Sequence, residues 1–183
     1  MAAVVITGFM GTGKTRVGEI VARVTKRTFI DIDALVERSE GSTVAEIFRD
    51  RGEPYFRACE RRAVREAVKN ESAVIATGGG TMMDPENAAH LCAAGPVVCL
   101  TARPEVLLGR IAAQGGVRPL LDVADPAARL GVLLGERMET YEKVADFFVD
   151  TSDRNIDEVA RDVVRFLARK DGGEGRAGGR CRS

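Results

Sequence analysis

The sequence predicts an α/β domain of the P-loop NTPase kind, with a parallel sheet covered by helices on both faces. Short apolar, β-branched runs alternate with helical patterns, and most connections are long enough to be crossovers. The first apolar run, residues 3–7, leads directly into residues 8–15, GFMGTGKT, which fit the pattern G-x-x-x-x-G-K-[ST] at every fixed position. Apolar residues at helical spacing follow, so strand, glycine turn and helix occur in the order that a phosphate-binding loop requires.

This turn predicts a site for nucleotide phosphates. Glycine adopts positive φ and has no Cβ, so the backbone can wrap closely around an anion. Successive backbone N–H groups and the positive end of the following helix then face the phosphates. We expect Lys14 to bring a movable charge to the β- and γ-phosphates, and the Thr15 hydroxyl to ligate Mg²⁺.

The rest of the chain continues the alternation of strands and helices. Strands are predicted at residues 3–7, 28–31, 73–76, 97–100 and 147–150. Helices are predicted after the P-loop, at 34–39, after a cap at Ser42 or Thr43, at 55–69, at 85–94, from Pro104, at 127–144 and at 156–168. Gly41 and Gly52 are expected to interrupt the helical pattern, and residues 114–125 read as an irregular segment.

Length and composition indicate one globular domain, residues 1–169, followed by a glycine- and arginine-rich tail, residues 170–183. The 183 residues are 45% hydrophobic and 30% charged, which is ordinary for a globular protein. The tail has no apolar face and reads as disordered, or as the start of a linker. The 27 basic and 27 acidic residues balance, so no basic field indicates a nucleic-acid partner. No apolar run is long enough to span a bilayer, so no membrane partner is expected.

The cysteines and the single histidine do not indicate a metal or disulfide framework. The cysteines are scattered, without a C-x-x-C pair, which favours a reducing cytoplasm as the compartment. Cys92 and Cys99 lie in apolar surroundings and are expected in the core. His90 stands alone on a predicted helix and is expected at the surface or satisfied in the core.

Chemistry-bearing residues follow each of the first three predicted strands. The first strand ends in the P-loop, the second in Asp31 and Asp33, and the third in the triple glycine, residues 78–80. Ligands of such sheets bind outside the carboxyl ends of the strands, so the three groups should meet in one cleft.

The aspartates and the triple glycine each have two interpretations. In extended geometry both carboxylates would face the cleft, one towards Mg²⁺ and its waters, the other towards a substrate hydroxyl. Alternatively, Asp33 only caps the next helix. The glycines permit close backbone approach to a ligand, or they form a flexible turn.

Three arginines are candidates for binding anions. Arg57 and Arg137 lie on predicted helices, where an exposed face is the simpler interpretation, although either would form a carboxylate clamp if it pointed into the cleft. Arg118 lies in the irregular segment, between glycines and Pro119, which is the composition expected of a mobile lid over transferring phosphates.

Taken together, these motifs resemble shikimate kinases. The motifs are residues 8–15, Asp31-Ile32-Asp33, Gly52-Glu53 with Phe56-Arg57, Thr77 with residues 78–80, Arg118-Pro119-Leu120-Leu121, and Glu136-Arg137 with Tyr141. The resemblance covers about residues 3–168 and is specific, since the motifs beyond the P-loop are not shared by NTPases in general. It implies the nucleoside-monophosphate-kinase fold, a three-layer sandwich whose five-stranded parallel sheet has order 2-3-1-4-5. It also implies transfer of the γ-phosphate of ATP to the 3-hydroxyl of shikimate, on the route to chorismate and aromatic amino acids.

The resemblance also implies roles for individual residues. Shikimate would be bound by Asp33, Arg57, Gly79 and Arg137, with the two arginines on its carboxylate and Asp33 on its hydroxyls. ATP would be bound by Gly11, Thr12, Gly13, Lys14, Thr15, Arg16, the lid residue Arg118, and Arg154 beside the adenine. The Mg²⁺ cofactor would be held by Thr15 directly and by Asp31 through water, and the catalytic residues would be Lys14, Asp33 and Arg118.

The alternatives are another small-molecule kinase of this fold, such as a gluconate kinase, and a non-catalytic ATP-binding module. A degraded module should have lost its lysine, its aspartates or its lid arginine, and all are present. A GTPase switch would need an Asn-Lys pair to read guanine, and the chain contains none. Thr15 replaces the serine common in this family's P-loop but keeps the hydroxyl. ATP and shikimate are the expected partners of a monomeric enzyme.

Overall fold

The computed structural model describes residues 2–115, 119–121 and 123–171. Its strands are β1 (Val4–Gly8), β2 (Phe29–Asp31), β3 (Val74–Ala76), β4 (Val97–Thr101) and β5 (Phe147–Asp150). Its helices are α1 (Lys14–Thr25), α2 (Ile32–Glu40), α3 (Val44–Ala67), α4 (Pro85–Ala94), α5 (Pro104–Gln114), α6 (Pro126–Val144) and α7 (Ile156–Asp171). Short 3₁₀ turns occur at Thr81–Met83 and Pro119–Leu121.

The strands form one parallel sheet in the order β2-β3-β1-β4-β5, which confirms the predicted topology. Alternate residues of the central strands enter different cores, because successive side chains of a strand point to opposite faces. Val5 and Ile75 pack with α2, α3 and α4, whereas Val4 and Ile6 pack with α1 and α7. Burial on both faces explains why these strands are continuous apolar runs in the sequence.

A third, smaller apolar cluster lies beneath the P-loop. It consists of Phe9, Leu107, Leu121, Leu130 and Leu133, contributed by the P-loop, α5, the second 3₁₀ turn and α6. Part of the segment predicted to be irregular therefore forms a turn whose Leu121 is buried. Arg118 lies outside the described residues, so its position and the predicted lid motion stay predictions.

The aspartates after β2 occupy different structural positions, so the prediction that both extend from a strand end is wrong. The strand ends at Asp31 and α2 begins at the next residue. The Asp31 carboxylate caps the helix, accepting a hydrogen bond from the Ala34 N–H at 3.2 Å. Asp33 is in the first turn of α2, and the N-cap position proposed for Asp33 is occupied by Asp31.

The remaining predicted boundaries differ from the structure only locally. Thr43, not Ser42, caps α3 and forms a reciprocal capping box with Glu46. Gly52 interrupts this helix with φ 79° and ψ 168°, as expected for a glycine break. The last helix continues to Asp171 and so includes the first two residues assigned to the tail.

The cysteine and histidine predictions can be compared with the described part of the chain. Cys99 is fully buried and Cys92 packs partly against the core, while His90 is exposed near Glu86. Cys59, Cys92 and Cys99 are free thiols, and Cys181 lies outside the described residues. No helix within the described ranges has the length and apolar character needed to cross a membrane.

The entry to the P-loop should be intolerant of any side chain. Gly8 has φ 135°, and a Cβ there would lie 2.2 Å from the Leu100 carbonyl oxygen of the neighbouring strand. We expect Gly8→Ala to lower the free energy of unfolding by about 3 kcal/mol, measured by urea denaturation. Gly109→Ala is the control, because no atom lies within 4 Å of its Cβ position on α5. It should be neutral or stabilise by about 0.5 kcal/mol, and equal stability of wild type and Gly8→Ala would contradict the packing argument.

Candidate active site

One cavity of about 620 Å³ opens at the carboxyl ends of the strands. The P-loop lies at its centre, the Asp33 and triple-glycine region on one side, and the loop after β5 on the other. The predicted site residues within the described part of the chain all line it: Gly11, Thr12, Gly13, Lys14, Thr15, Arg16, Asp31, Asp33, Arg57, Gly79, Arg137 and Arg154. The expected convergence of the strand ends is confirmed.

The P-loop is already folded into a compact turn. Gly11 and Gly13 have φ of 82° and 89°, values that favour glycine, and α1 begins at Lys14. The Phe9 carbonyl accepts hydrogen bonds from the Lys14 Nζ at 2.9 Å and the Thr12 Oγ1 at 2.8 Å. Burial lowers the pKa of Lys14 to about 8, although the carboxylates of Asp33 and Asp31 act in the opposite direction.

Asp33 is a buried carboxylate that lies near other acidic side chains. Burial raises its pKa to about 6, and the negative charges of Asp31 and Glu60 add to this, while Lys14 partly offsets it. Its Oδ1 is buried and makes no hydrogen bond within the described structure. A buried acceptor without a partner is costly, so this oxygen is suited to receive a hydrogen bond from a ligand.

The triple glycine passes close to three side chains of the cleft. A Cβ at Gly78 would lie 2.6 Å from Asp33 Oδ1, and one at Gly80 would lie 2.9 Å from Arg57 Nη2. A Cβ at Gly79 would lie 3.3 Å from both Arg137 Nη1 and the Met10 nitrogen. These contacts favour the interpretation of close backbone approach, because any side chain at Gly78 or Gly80 would displace a charged group.

Arg57 is held by two carboxylates, so the prediction that it lies on an exposed face is wrong. Its Nη1 donates to Glu60 Oε2 at 2.8 Å, and its Nε and Nη2 donate to Glu53 Oε1 at 3.1 and 2.8 Å. The Glu60 carboxylate is buried and also accepts a hydrogen bond from Thr81 Oγ1 at 2.6 Å. Burial acts to lower the pKa of Arg57, but Glu60 and Glu53 outweigh it and raise that pKa.

Arg137 is also in the cleft rather than at the surface, with only 5% of its area exposed. Its Nη1 donates to the Gly79 carbonyl at 2.9 Å, and the Tyr141 hydroxyl donates to the same oxygen at 2.7 Å. Its guanidinium carbon lies 5.1 Å from the centroid of the Phe9 ring. Burial lowers the pKa of Arg137, and the positive charge of Arg57 adds to this effect. We refer to Arg57 and Arg137 as the clamp arginines, because both line the cavity beside the triple glycine.

Apolar side chains and two arginines line the cavity on the side of the loop after β5. Ile156 and Val159 line it beside Arg154, which pairs with Asp162 at 2.7 Å. Arg110 also lines it, donating to the main-chain and side-chain oxygens of Thr151 at 2.6 and 2.9 Å. The size and position of this region suit a nucleotide base whose phosphates lie in the P-loop.

A divalent cation has donors of the right chemistry beside the P-loop. Thr15 Oγ1 donates to Asp31 Oδ2 at 2.8 Å, so a hydroxyl and a carboxylate meet at one point of the cavity. Oxygen donors of this kind suit Mg²⁺, which keeps several of its waters when few protein ligands are available. The described residues contain no cluster of three or more His, Cys, Asp or Glu side chains that could hold a metal.

Sequence reasoning did not identify Glu60 or Arg110 as cavity residues. Glu60 follows Arg57 by one helical turn, and this i, i+3 spacing is a signal that could have found the pair. Arg110 has no such signal, because its partner Thr151 follows a different strand. Tyr141 was recognised as part of a motif, but its bond to Gly79 could not be predicted from spacing.

The fold and the cleft together define a small-molecule kinase of the P-loop class. The shikimate kinase family model matches residues 10–168, and the chain belongs to this family. A shikimate kinase from Caldanaerobacter subterraneus is 47% identical over 172 residues, which cover 94% of this chain and 99% of that protein. The solved shikimate kinase from Acinetobacter baumannii in complex with shikimate is 32% identical, with a TM-score of 0.84 and coverage of 96% of each chain.

The structural likeness extends to another kinase of the same fold. A gluconokinase from Sinorhizobium meliloti has a TM-score of 0.61 at 19% identity and covers 94% of this chain. At that identity the likeness concerns the fold alone. Family membership and the much higher identity to shikimate kinases therefore decide between the two kinase alternatives raised by the sequence.

The raised pKa of Asp33 predicts a pH-dependent cost to stability. The folded protein holds the Asp33 proton up to about pH 6, whereas the unfolded chain releases it near 3.8. The free energy of unfolding should therefore fall as pH rises across this window. We expect Asp33→Asn to match wild type near pH 4 and to be more stable above pH 6 by about 2 kcal/mol, measured by urea denaturation.

Asp153→Asn is the control for this experiment. Its pKa is lowered, chiefly by its hydrogen bonds from Arg103, so its carboxylate stabilises the folded protein at neutral pH. Asp153→Asn should therefore shift stability at neutral pH in the opposite direction. If Asp33→Asn is less stable than wild type above pH 6, the ionised Asp33 carboxylate does not destabilise the folded protein and the prediction is wrong.

Proposed function

We propose that this chain phosphorylates shikimate in the cleft described above, moving the γ-phosphate of ATP to the 3-hydroxyl and releasing ADP. The observation that carries the proposal is the placement of a P-loop, an unpaired carboxylate and two arginines around one cavity in a member of the shikimate kinase family. The product, shikimate 3-phosphate, belongs to the route to chorismate and aromatic amino acids.

Shikimate binds on the side of the cleft that carries the clamp arginines. Its carboxylate receives hydrogen bonds from Arg57 and Arg137, since planar guanidinium groups match a carboxylate in geometry and charge. Gly79 provides close backbone approach, because a Cβ there would crowd Arg137 and the P-loop. Asp33 accepts hydrogen bonds from the ring hydroxyls, which gives its buried Oδ1 a partner.

Asp33 and Lys14 act on the reacting groups. At neutral pH most Asp33 is ionised, because its pKa of about 6 lies below 7. The carboxylate orients the attacking hydroxyl and takes up its proton as the new O–P bond forms. Lys14 leaves the Phe9 carbonyl and donates to the transferring phosphoryl group, where its charge offsets the charge that develops in the transition state.

The nucleotide lies in the P-loop with its base towards the last helix. Backbone N–H groups of Gly11, Gly13 and their neighbours hold the phosphates, with Thr12 and Arg16 alongside. The Thr15 hydroxyl and, through water, the Asp31 carboxylate would hold Mg²⁺, which would supply positive charge to offset that of the nucleotide phosphates. Arg154 lies beside the adenine.

Residues 114–125 act as a lid that closes over ATP. Gly115, with φ 63°, ends α5 and serves as a hinge, while Leu120 already lines the cavity. Closure brings Arg118 to the phosphates and keeps out water that would otherwise hydrolyse ATP without shikimate.

The same proposal includes the setting in which the enzyme works. The catalytic unit is residues 1–169 and the glycine- and arginine-rich remainder, residues 170–183, is a tail. The enzyme is a monomer of the cytoplasm whose partners are ATP and shikimate. The free thiols of the described residues and the balanced charge support this setting.

A coupled assay for ADP release tests the function directly. Purified protein should turn over ATP with shikimate and remain inactive with gluconate and with nucleoside monophosphates. Asp33→Asn should lower kcat with shikimate by about 100-fold or more, because the general base is lost. Lys14→Met should abolish turnover in a protein that still unfolds cooperatively. Turnover of gluconate without turnover of shikimate, or near-normal kcat in Lys14→Met, would refute the proposal.

Arg57→Lys and Arg137→Lys test the carboxylate clamp. Each change keeps the charge but removes the planar fork, so each should raise the KM for shikimate by about tenfold while KM for ATP changes about twofold or less. Arg61→Lys is the control, since Arg61 pairs with Asp84 outside the cavity. Equal changes in KM for both substrates would mean that the arginines serve the fold instead.

A further inference from the structure

The clamp arginines are held by chemically different partners. Arg57 donates three hydrogen bonds to the carboxylates of Glu53 and Glu60, so its charge is offset inside the protein. The direct contacts of Arg137 are with the Gly79 carbonyl, Tyr141 and the Phe9 ring, none of which carries a negative charge at neutral pH, and the Glu53 carboxylate acts on it without forming an ion pair.

Phe9 is the residue that joins this arginine to the P-loop. Its side chain is 1% exposed and is fixed by Leu107 and Leu130 in the cluster beneath the loop. Its carbonyl is the acceptor for Lys14. The ring face, 5.1 Å from the guanidinium carbon of Arg137, is within the range of a cation–π interaction.

We propose that the ring of Phe9 positions the Arg137 guanidinium for the shikimate carboxylate while leaving its charge available. The inference rests on the proposed role of Arg137 in binding shikimate. A ring face attracts a cation through its quadrupole but carries no net charge, so it holds the arginine without neutralising it. The net positive charge that meets the substrate carboxylate therefore comes mainly from Arg137.

The Gly79 carbonyl alone does not fix the guanidinium. One hydrogen bond from Nη1 leaves rotation about that contact free, and the long arginine side chain has many rotamers to lose. The Phe9 ring supplies a second surface that restricts the plane of the group. Tyr141 contacts the guanidinium and also donates to that carbonyl, and Phe9 adds the ring face that limits where the remaining N–H donors point.

A series of ring-fluorinated phenylalanines at position 9 tests this role. One, two or three fluorine atoms progressively weaken the negative potential of the ring face and change its size little. The Kd of shikimate for the free enzyme, measured by calorimetry, should rise stepwise with fluorination, by about fivefold for the trifluoro ring. KM for ATP should rise by a smaller factor than the Kd of shikimate, since the Phe9 main chain, whose carbonyl accepts from Lys14, is unchanged.

Phe56 provides a matched control. Its ring lies 5.2 Å from the guanidinium carbon of Arg57, and Phe56 is also buried. Because two carboxylates already hold Arg57, the same fluorination series at position 56 should change the Kd of shikimate by less than the series at position 9, although Phe56 also lines the cavity. Phe9→Leu, which keeps an apolar side chain but removes the ring, should reproduce the loss seen with the trifluoro ring.

The outcomes separate this inference from the proposed function. An unchanged Kd across the position-9 series would overturn the role of Phe9, and so would equal shifts at positions 9 and 56. A parallel rise in KM for ATP would also overturn it, because it would indicate a distorted P-loop. The role of Arg137 itself fails if Arg137→Lys leaves shikimate binding unchanged or raises KM for both substrates equally.

Discussion

The site depends on the burial of charged side chains, away from water, at the carboxyl edge of the sheet. Lys14 and Asp33 have pKa values shifted towards their neutral forms, and burial is the main cause for both. Each charge partly offsets the other, so neither group can be removed without changing its partner. The folded protein tolerates this cost because the surrounding sheet and helices bury continuous apolar faces on both sides.

Only some of the basic side chains in the cleft form ion pairs with carboxylates of the protein. Glu60 and Glu53 offset Arg57, and the Glu60 carboxylate also helps to raise the pKa of Asp33. Arg137 is stabilised by dipoles and by an aromatic face instead. A ligand with one carboxylate and several hydroxyls complements this pattern, because it meets a net positive charge at one end and carboxylate acceptors at the other.

The triple glycine makes this arrangement geometrically possible. Asp33, Arg57 and Arg137 each approach a different glycine within a distance that a side chain would block. The backbone here is therefore part of the wall of the cleft, and the Gly79 carbonyl fixes α6 to the end of β3 through two hydrogen bonds. In this way the P-loop, the triple glycine and α6 are joined at one point.

The sequence alone determined the fold class, the strand order through family resemblance, the P-loop and the residues that meet in the cleft. It could do so because strand burial, glycine turns and motif spacing are local signals. One interpretation of the sequence placed the N-cap of α2 at Asp33, but the structure has it at Asp31. A helix that begins directly after a strand leaves no break in the sequence pattern to mark its first residue. Only the tertiary structure decided that Glu60 and Arg110 line the cleft and that Phe9 packs against Arg137. Those contacts join residues from separate elements, and their distances depend on how the helices pack rather than on sequence spacing.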